Sequence, residues 1–387
     1  MCRVELTTPI MWLGRAWRRA LLNLYAHLLN AILMAVLLIE VMRRVAPTFR
    51  LVDLPDMRKQ HEGAVPLCGG LAIFGAFMVT AFGFDGQYSV PWYMATGIGM
   101  LVVTGAIDDR LGLRAGTRLL IQLVAGLLLV LPGATLSLNL GSVGELPVLL
   151  PPVLGGMLAV IFLVGSVNAI NMLDGLDGLA GASVAAALFW LALIAAHVND
   201  TVTMLQALVL LAATIGFLMF NMRHPWRAKA SVFLGDAGSA MLGAFLAYFV
   251  IRLSTDGGVA FVSALWLLVI PITDTLSLIL RRIAARRSPF SPDRMHLHHL
   301  LVDHGMPHVQ ATGLMASASS VCGAVGYVGI VFGVPDVLMA LGLAIPITAH
   351  ITIVAVLTGS DRASKTQTSG SASFAGRETP PLMGGGQ

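Results

Sequence analysis

Residues 154–197 read LGGMLAVIFLVGSVNAINMLDGLDGLAGASVAAALFWLALIAAH. Two apolar runs, each long enough for a membrane helix, are joined by NAINMLDGLDGLAG at 168–181. Ionisable groups at membrane depth are costly and therefore rare. A short polar joint carrying Asn168, Asn171, Asp174 and Asp177 thus places chemistry where helices leave the bilayer.

The composition carries this reading along the chain. Of 387 residues 57% are hydrophobic and 11% charged, against roughly 25% charged in a soluble domain. A hydrocarbon core of ~30 Å needs about 20 apolar residues per helix. That rule marks spans at 22–42, 66–84, 92–107, 116–133, 149–167, 179–197, 202–220, 237–252, 259–280, 309–333 and 337–357. The runs are continuous rather than alternating, which excludes a membrane β-barrel. The expected fold is all-α: a polytopic bundle of about 11 transmembrane helices with its polar loops on one face. A basic N-terminal extension (1–21) precedes a multi-span membrane domain (22–357). Residues 358–387 are rich in Gly, Ser, Thr and Pro, which predicts a disordered tail.

Arg252 and four arginines near the N-terminus (Arg3, Arg15, Arg18, Arg19) aside, every Lys and Arg falls in alternate loops or the tail. These loops are 43–65, 108–115 (with Arg118 just beyond), 168–178, 221–236 and 281–308, and the tail is 358–387. The positive-inside rule assigns them to the cytoplasm. An odd number of spans then leaves the N-terminus outside. No cleavage site follows the first basic stretch, which reads as an uncleaved interfacial helix. The formal charge of +4 is dispersed over short loops, which speaks for a membrane surface and against nucleic acid. Cys2, Cys68 and Cys322 form no CxxC pair and read as small apolar residues.

The carboxylates gather on that same face. Asp108 and Asp109 end the third span in GAIDDRLGL, Asp236 opens the eighth in VFLGDAGSAMLG, and Asp274 lies inside the ninth. Each has a structural alternative. Asp174 and Asp177 suit turns and helix caps, Asp236 could cap its own helix, and Asp274 could pair with Arg281 or Arg282. Together they point to a hard cation, since Mg²⁺ takes one or two carboxylates plus phosphate oxygens. Opposite them, RRIAARRSPFSPDRMHLHHLLVDHGMPH (281–308) combines arginines with His296, His298, His299, His304 and His308. That is an anion-handling composition. HLHH could hold zinc, but no cysteine or well-spaced carboxylate completes such a site. Arg58, Lys59 and His61 add cationic groups ahead of a glycine-rich helix start. No P-loop, Rossmann or HExxH motif occurs.

These motifs, in this order, resemble a known family. RKQHEGAVPLCGG (58–70), DDR (108–110), NAINMLDGLDGLAG, VFLGDAGS (232–239) and SPFSPDRMHLHHLL (288–301) are similar to those of the polyprenyl-phosphate N-acetylhexosamine-1-phosphate transferases. The likeness spans about residues 45–335. The histidine-loop context looks like the WecA-like branch, which starts O-antigen and related glycans. It differs from the branch that uses UDP-MurNAc-pentapeptide. The resemblance implies transfer of a sugar-1-phosphate from a UDP-N-acetylhexosamine, most simply UDP-GlcNAc, to undecaprenyl phosphate. It implies Mg²⁺ (or Mn²⁺), an inner-membrane location with a cytoplasmic active site, and a homodimer as one oligomeric option. By that likeness Asp108, Asp109, Asp236, His296 and His299 are catalytic candidates, with Asp108 as base. Asp236, Asp174 and Asp109 are candidate metal ligands. Lys59, His61, Asn168, Asn171, Asp174, Asp177, Asn221, Arg294 and His298 would bind substrate. A secondary transporter is the rival class, but transporters place their carboxylates near the midplane rather than at one face.

Overall fold

The computed structural model describes residues 8–53, 63–82, 90–133, 137–255, 258–288 and 295–375. Lys59, His61 and Arg294 lie outside these described residues, as do Arg58 and Cys2. In chain order the helices are Thr8–Val45 (α1), Gly69–Phe82 (α2), Trp92–Leu111 (α3), Ala115–Val130 (α4), Pro152–Leu173 (α5), Leu179–His197 (α6), Thr201–Asn221 (α7), Gly235–Thr255 (α8), Phe261–Ala264 (α9), Val269–Ala284 (α10), Leu297–Asp303 (α11), His308–Val331 (α12), Asp336–Gly342 (α13) and Ala344–Ala375 (α14).

Every one of the eleven expected spans is helical, so the polytopic helical fold stands. Among the described residues, seven helices are long and apolar enough to cross a membrane, or eight if one bent pair counts as a single span. Helices α2 and α4 are apolar but short. At 1.5 Å per residue they cover roughly 21 and 24 Å, less than the ~30 Å hydrocarbon core. The ninth span is not one helix. Phe261–Leu267 and Val269–Ala284 meet at 86°. Pro271, in the first turn of α10, offers no N–H and would clash with the Leu267 carbonyl in a continuous helix. At the C-terminal side α14 is described as far as Ala375, past the expected end of the last span near 357. Each added residue extends an existing ladder and escapes the cost of nucleation. Residues 376–387 lie outside the described residues.

Two small hairpins interrupt the all-helical pattern. Val52–Asp53 (β1) pairs antiparallel with Val65–Pro66 (β2), and Leu138–Val143 (β3) with Leu146–Leu150 (β4). The second turns at Gly144–Glu145, where Gly144 takes a φ of 64°, a region open to glycine at no steric cost. Asp336, at the start of α13, accepts hydrogen bonds from the Ser142 N–H and hydroxyl, both at 2.9 Å. It so ties this hairpin to the end of the bundle away from the carboxylates.

Helix α8 is the hub. It packs on α2, α3, α5 and α6 and is almost wholly buried. Small residues make this approach possible. A Cβ on Gly70 would fall 2.2 Å from the Gly238 backbone, and one on Gly105 would fall 2.3 Å from the Ala237 nitrogen. Both crossings lie in the first turn of α8, beside Asp236, so backbone proximity here sets the site. In a bilayer, where no hydrophobic drive pulls helices together, such small-residue contacts carry the association.

Gly70→Ala must push α2 from α8, and overpacking of this kind costs about 1–3 kcal/mol. Its unfolding midpoint in detergent is expected to fall by several degrees. Gly116→Ala, which meets nothing within 4 Å, should leave the midpoint unchanged; equal midpoints for the two would refute the close crossing.

Candidate active site

The polar residues of four helix ends meet in one cleft lined by Asp108, Arg118, Gln122, Asn168, Asn171 and Asp236. The two aspartates of the DD pair do different work. Asp109 reaches from α3 to the exposed N–H groups that begin α8: its Oδ1 accepts from Asp236 N–H at 2.9 Å and its Oδ2 from Ala237 N–H at 3.4 Å. It caps a helix that is not its own. Asp108 is buried and turns toward the cleft. Its Oδ1 accepts from Leu113 N–H at 2.6 Å, and its Oδ2 accepts from the Arg118 guanidinium at 2.8 Å.

Asp236 keeps a third of its side chain open (35%). Its Oδ1 accepts from Asn171 Nδ2 at 2.6 Å, and the same amide donates to Ser239 Oγ at 3.0 Å. Arg118 stands 3.8 Å from its other oxygen. The Asp108 carboxyl is also within hydrogen-bond reach of Asp236. Asn168 spends its Nδ2 on Gln122 Oε1 (2.7 Å) and Val164 O (2.8 Å).

Asp174 opens the turn after α5. Burial pushes the Asp174 carboxyl up to about 8, and the negative charges of Asp236, Asp109 and Asp177 push the same way. Those neighbours place Asp174 with the cleft carboxylates. Crowded like charges resist joint ionisation; a proton relieves them, and so would a cation. Asp177 and Asn221 hold the turn itself. Asp177 Oδ2 accepts from Arg223 Nε at 2.7 Å and from Ala230 N–H at 3.2 Å. Asn221, buried, accepts from Gly178 N–H at 2.8 Å and donates to Val232 O at 2.9 Å. Both of its amide atoms are engaged within the fold.

The histidine segment sits on the other side of that turn. His298 packs so closely on Gly175 that a Cβ there would stand 2.1 Å from its Nε2. His296 stacks on His298 at 5.5 Å and 13°, and His298 lies 4.2 Å from His299, centroid to centroid. His296 Nδ1 bonds Asp274 Oδ2 at 2.7 Å. Asp274 therefore faces the histidine segment, whereas Arg281 bonds Met295 O at 2.8 Å.

Sequence reasoning passed over Arg118 and Gln122. Their signal is present: they are the two long polar side chains of α4, AGTRLLIQLVAGLLLV, and at i and i+4 they share one face. Among the described residues no three His, Cys, Asp or Glu side chains form a complete metal cage.

The sequence profile of "Glycosyl transferase family 4" matches residues 91–254, from the start of α3 almost to the end of α8. A Haemophilus influenzae protein named "Undecaprenyl-phosphate alpha-N-acetylglucosaminyl 1-phosphate transferase" is 34% identical over 331 residues, 84% of this chain and 91% of the relative. Proteins of the same name from Pasteurella multocida (34% over 316 residues, 80% and 87%) and Escherichia coli K12 (32% over 313 residues, 79% and 84%) are similar to it as well. The matched stretch contains the cleft helices and their carboxylates, and at this identity and coverage the chain belongs to glycosyl transferase family 4, as a phosphotransferase built into a membrane.

Proposed function

We propose that this chain transfers GlcNAc-1-phosphate from UDP-GlcNAc to undecaprenyl phosphate at the cytoplasmic face of the inner membrane. One observation carries the reading: Asp108, Asp236, Asn171 and Arg118 share a single cleft at the end of the bundle where the basic loops gather. Positive loops mark the cytoplasmic side. The names of the similar proteins supply the acceptor and the transferred GlcNAc-1-phosphate, and the UDP donor is what the family resemblance implies.

Both reactants are anions, and their charge must be offset before they can touch. The donor set fits a divalent cation of the Mg²⁺ kind. Mg²⁺ asks for one or two carboxylates and fills its shell with phosphate oxygens and water. Asp236, partly open, and Asp174, crowded by like charge, meet that need without a full protein cage. Asp109 is engaged in capping and supports Asp236 from behind. Bound there, the cation would supply Lewis-acid neutralisation of the donor diphosphate.

The chain's own groups do the rest. Arg118 presents guanidinium N–H groups to a phosphate entering beside Asp108. An oxygen of the acceptor phosphate forms a bond to the β-phosphorus. The bond from that phosphorus to the bridging oxygen breaks, and UMP departs with the electron pair. A phosphate monoester has a second pKa near 6, so Asp108 need abstract little; its larger role is alignment. Asn168 and Asn171, whose Nδ2 groups are engaged within the fold, would offer their Oδ1 atoms to the nucleotide sugar. Exposed apolar side chains on α3 and α4, Val103, Ile107, Leu120 and Leu123, give the polyprenyl tail a lipid-side path that leaves its phosphate at the cleft.

The deciding experiment is UMP release by purified protein with undecaprenyl phosphate, Mg²⁺ and a panel of UDP-sugars that includes UDP-MurNAc-pentapeptide. UMP is expected from UDP-GlcNAc and only with acceptor present; silence across the panel refutes the reaction, and a different preferred sugar refutes the donor. Asp236→Asn should lower turnover by at least about 10²-fold while eluting as a folded species, and chelation should abolish turnover of the unmutated protein reversibly. Arg118→Met is expected to cost about 10²-fold in kcat, the scale set by losing one donor to a developing anion. An unchanged kcat would show that this guanidinium serves Asp108 alone.

A further inference from the structure

Asp274 is the most deeply buried carboxylate described, 1% exposed, and nothing in the transfer reaction as derived so far uses it. Burying a carboxylate costs several kcal/mol unless partners compensate, so its partners show what it is for. Oδ2 accepts from His296 Nδ1 at 2.7 Å, Oδ1 accepts from the Leu297 N–H at 3.0 Å, and His350 Nε2 of α14 stands 3.4 Å from Oδ1. About two turns along, Arg281 donates to Met295 O at 2.8 Å and to Ser277 O at 3.2 Å. Asp274, Ser277 and Arg281 lie at i, i+3 and i+7, one face of α10. That face grips three successive residues, Met295, His296 and Leu297, just where the chain enters α11. Helix packing alone would be served by an apolar residue; it gives no reason for a carboxylate that meets a ring nitrogen and the adjoining backbone N–H together.

We infer that Asp274 is a positioning residue for the transfer reaction, acting through His296. With Nδ1 committed to Asp274, Nε2 is the ring nitrogen left for a ligand, and the imidazole plane is fixed. The fixed ring stacks on His298, and His298 rests on Gly175 of the turn that carries Asp174. The kink at Leu268 gives this arrangement its geometry: α10 leaves the preceding segment at 86°, and its Asp274 face is thereby laid along the histidine segment. The donor's diphosphate or N-acetyl group is the class of ligand that Nε2 would meet. This inference rests on the function proposed above.

A double-mutant cycle in the UMP assay tests it. Asn at 274 can accept one of the two bonds but not both. Asp274→Asn is therefore expected to lower kcat about 10- to 100-fold, the usual cost of losing a group that orients a functional histidine. In the His296→Ala background the same change should alter kcat less than about twofold. Equal factors in both backgrounds, or an unchanged kcat in the single variant, overturn the inference. If Asp274→Asn aggregates, Asp274→Glu carries the same cycle, because it keeps the charge and shifts the carboxylate by one methylene. Hydrogen exchange needs no turnover: in Asp274→Ala, which can accept neither bond, deuterium uptake at the Leu297 amide must rise, and unchanged uptake also overturns the inference. No UMP from the unmutated protein would instead sink the proposed reaction, which keeps the two failures apart.

Discussion

The site depends on one electrostatic contact between two helices. The first N–H groups of α8 have no partner of their own and carry the positive end of its dipole. Asp109 of α3 supplies the missing acceptor, and it can do so only because Gly105 and Ala237 let the two backbones nearly touch. Hydrogen bonds to a charged acceptor contribute about 1.5–3 kcal/mol each where they are shielded from water. That contact does more than stabilise a crossing. It fixes the register of α8 against α3, and with it the separation of Asp236 from Asp108. A shift of one residue in α8 would carry Asp236 about 100° round the helix and out of the cleft.

From that fixed point the charge distribution follows. Asp236 and Asp108 face the cleft, Asp174 in the α5–α6 turn feels the charge of Asp236 and Asp109, and Arg118 is the cation placed between the first two. The arrangement is locally over-supplied with negative charge, an expensive state at the edge of a bilayer. A structure built only for stability would have replaced some of these carboxylates. Their retention makes sense if the deficit is met by a ligand, and a phosphate-bound divalent cation meets it while cancelling the donor's own charge.

The sequence disclosed the broad plan because helix length and polarity are local properties. Each apolar run became a helix, and among the described residues Asp108, Asn168, Asn171 and Asp236 line one cleft. What it could not disclose was long-range. Asp108 and Asp109 are chemically identical neighbours, and only the path of α8 decides which one caps and which one faces the cleft. Asn221 and Asp177 look like ligand contacts in the primary sequence, yet the fold uses Asn221 to pin the turn at Gly178 and Asp177 to hold Arg223. Arg118 reads as one more topology-setting charge until α4 is seen to aim it at Asp108. The break before α10 was legible in Pro271, but a hydropathy window averages such a residue away. The β3–β4 hairpin was hidden in the same way, inside a loop too short to weigh.

The residues spent on holding the turn are part of the chemistry all the same. A donor diphosphate gains from fixed dipoles only if they need not reorganise when it arrives. The DGLDG turn is tied from three directions: Asn221 at Gly178, the Arg223–Asp177 ion pair, and Thr312 of α12, whose hydroxyl donates to Asp177 O at 3.2 Å. His298 presses on it from a fourth, at Gly175. A turn held this tightly keeps Asp174 beside Asp236 against their mutual repulsion. The structural and functional readings of these polar residues are therefore not rivals. The bonds that pin the turn also hold its remaining carboxylate, Asp174, in place for the cation proposed to come with the substrate.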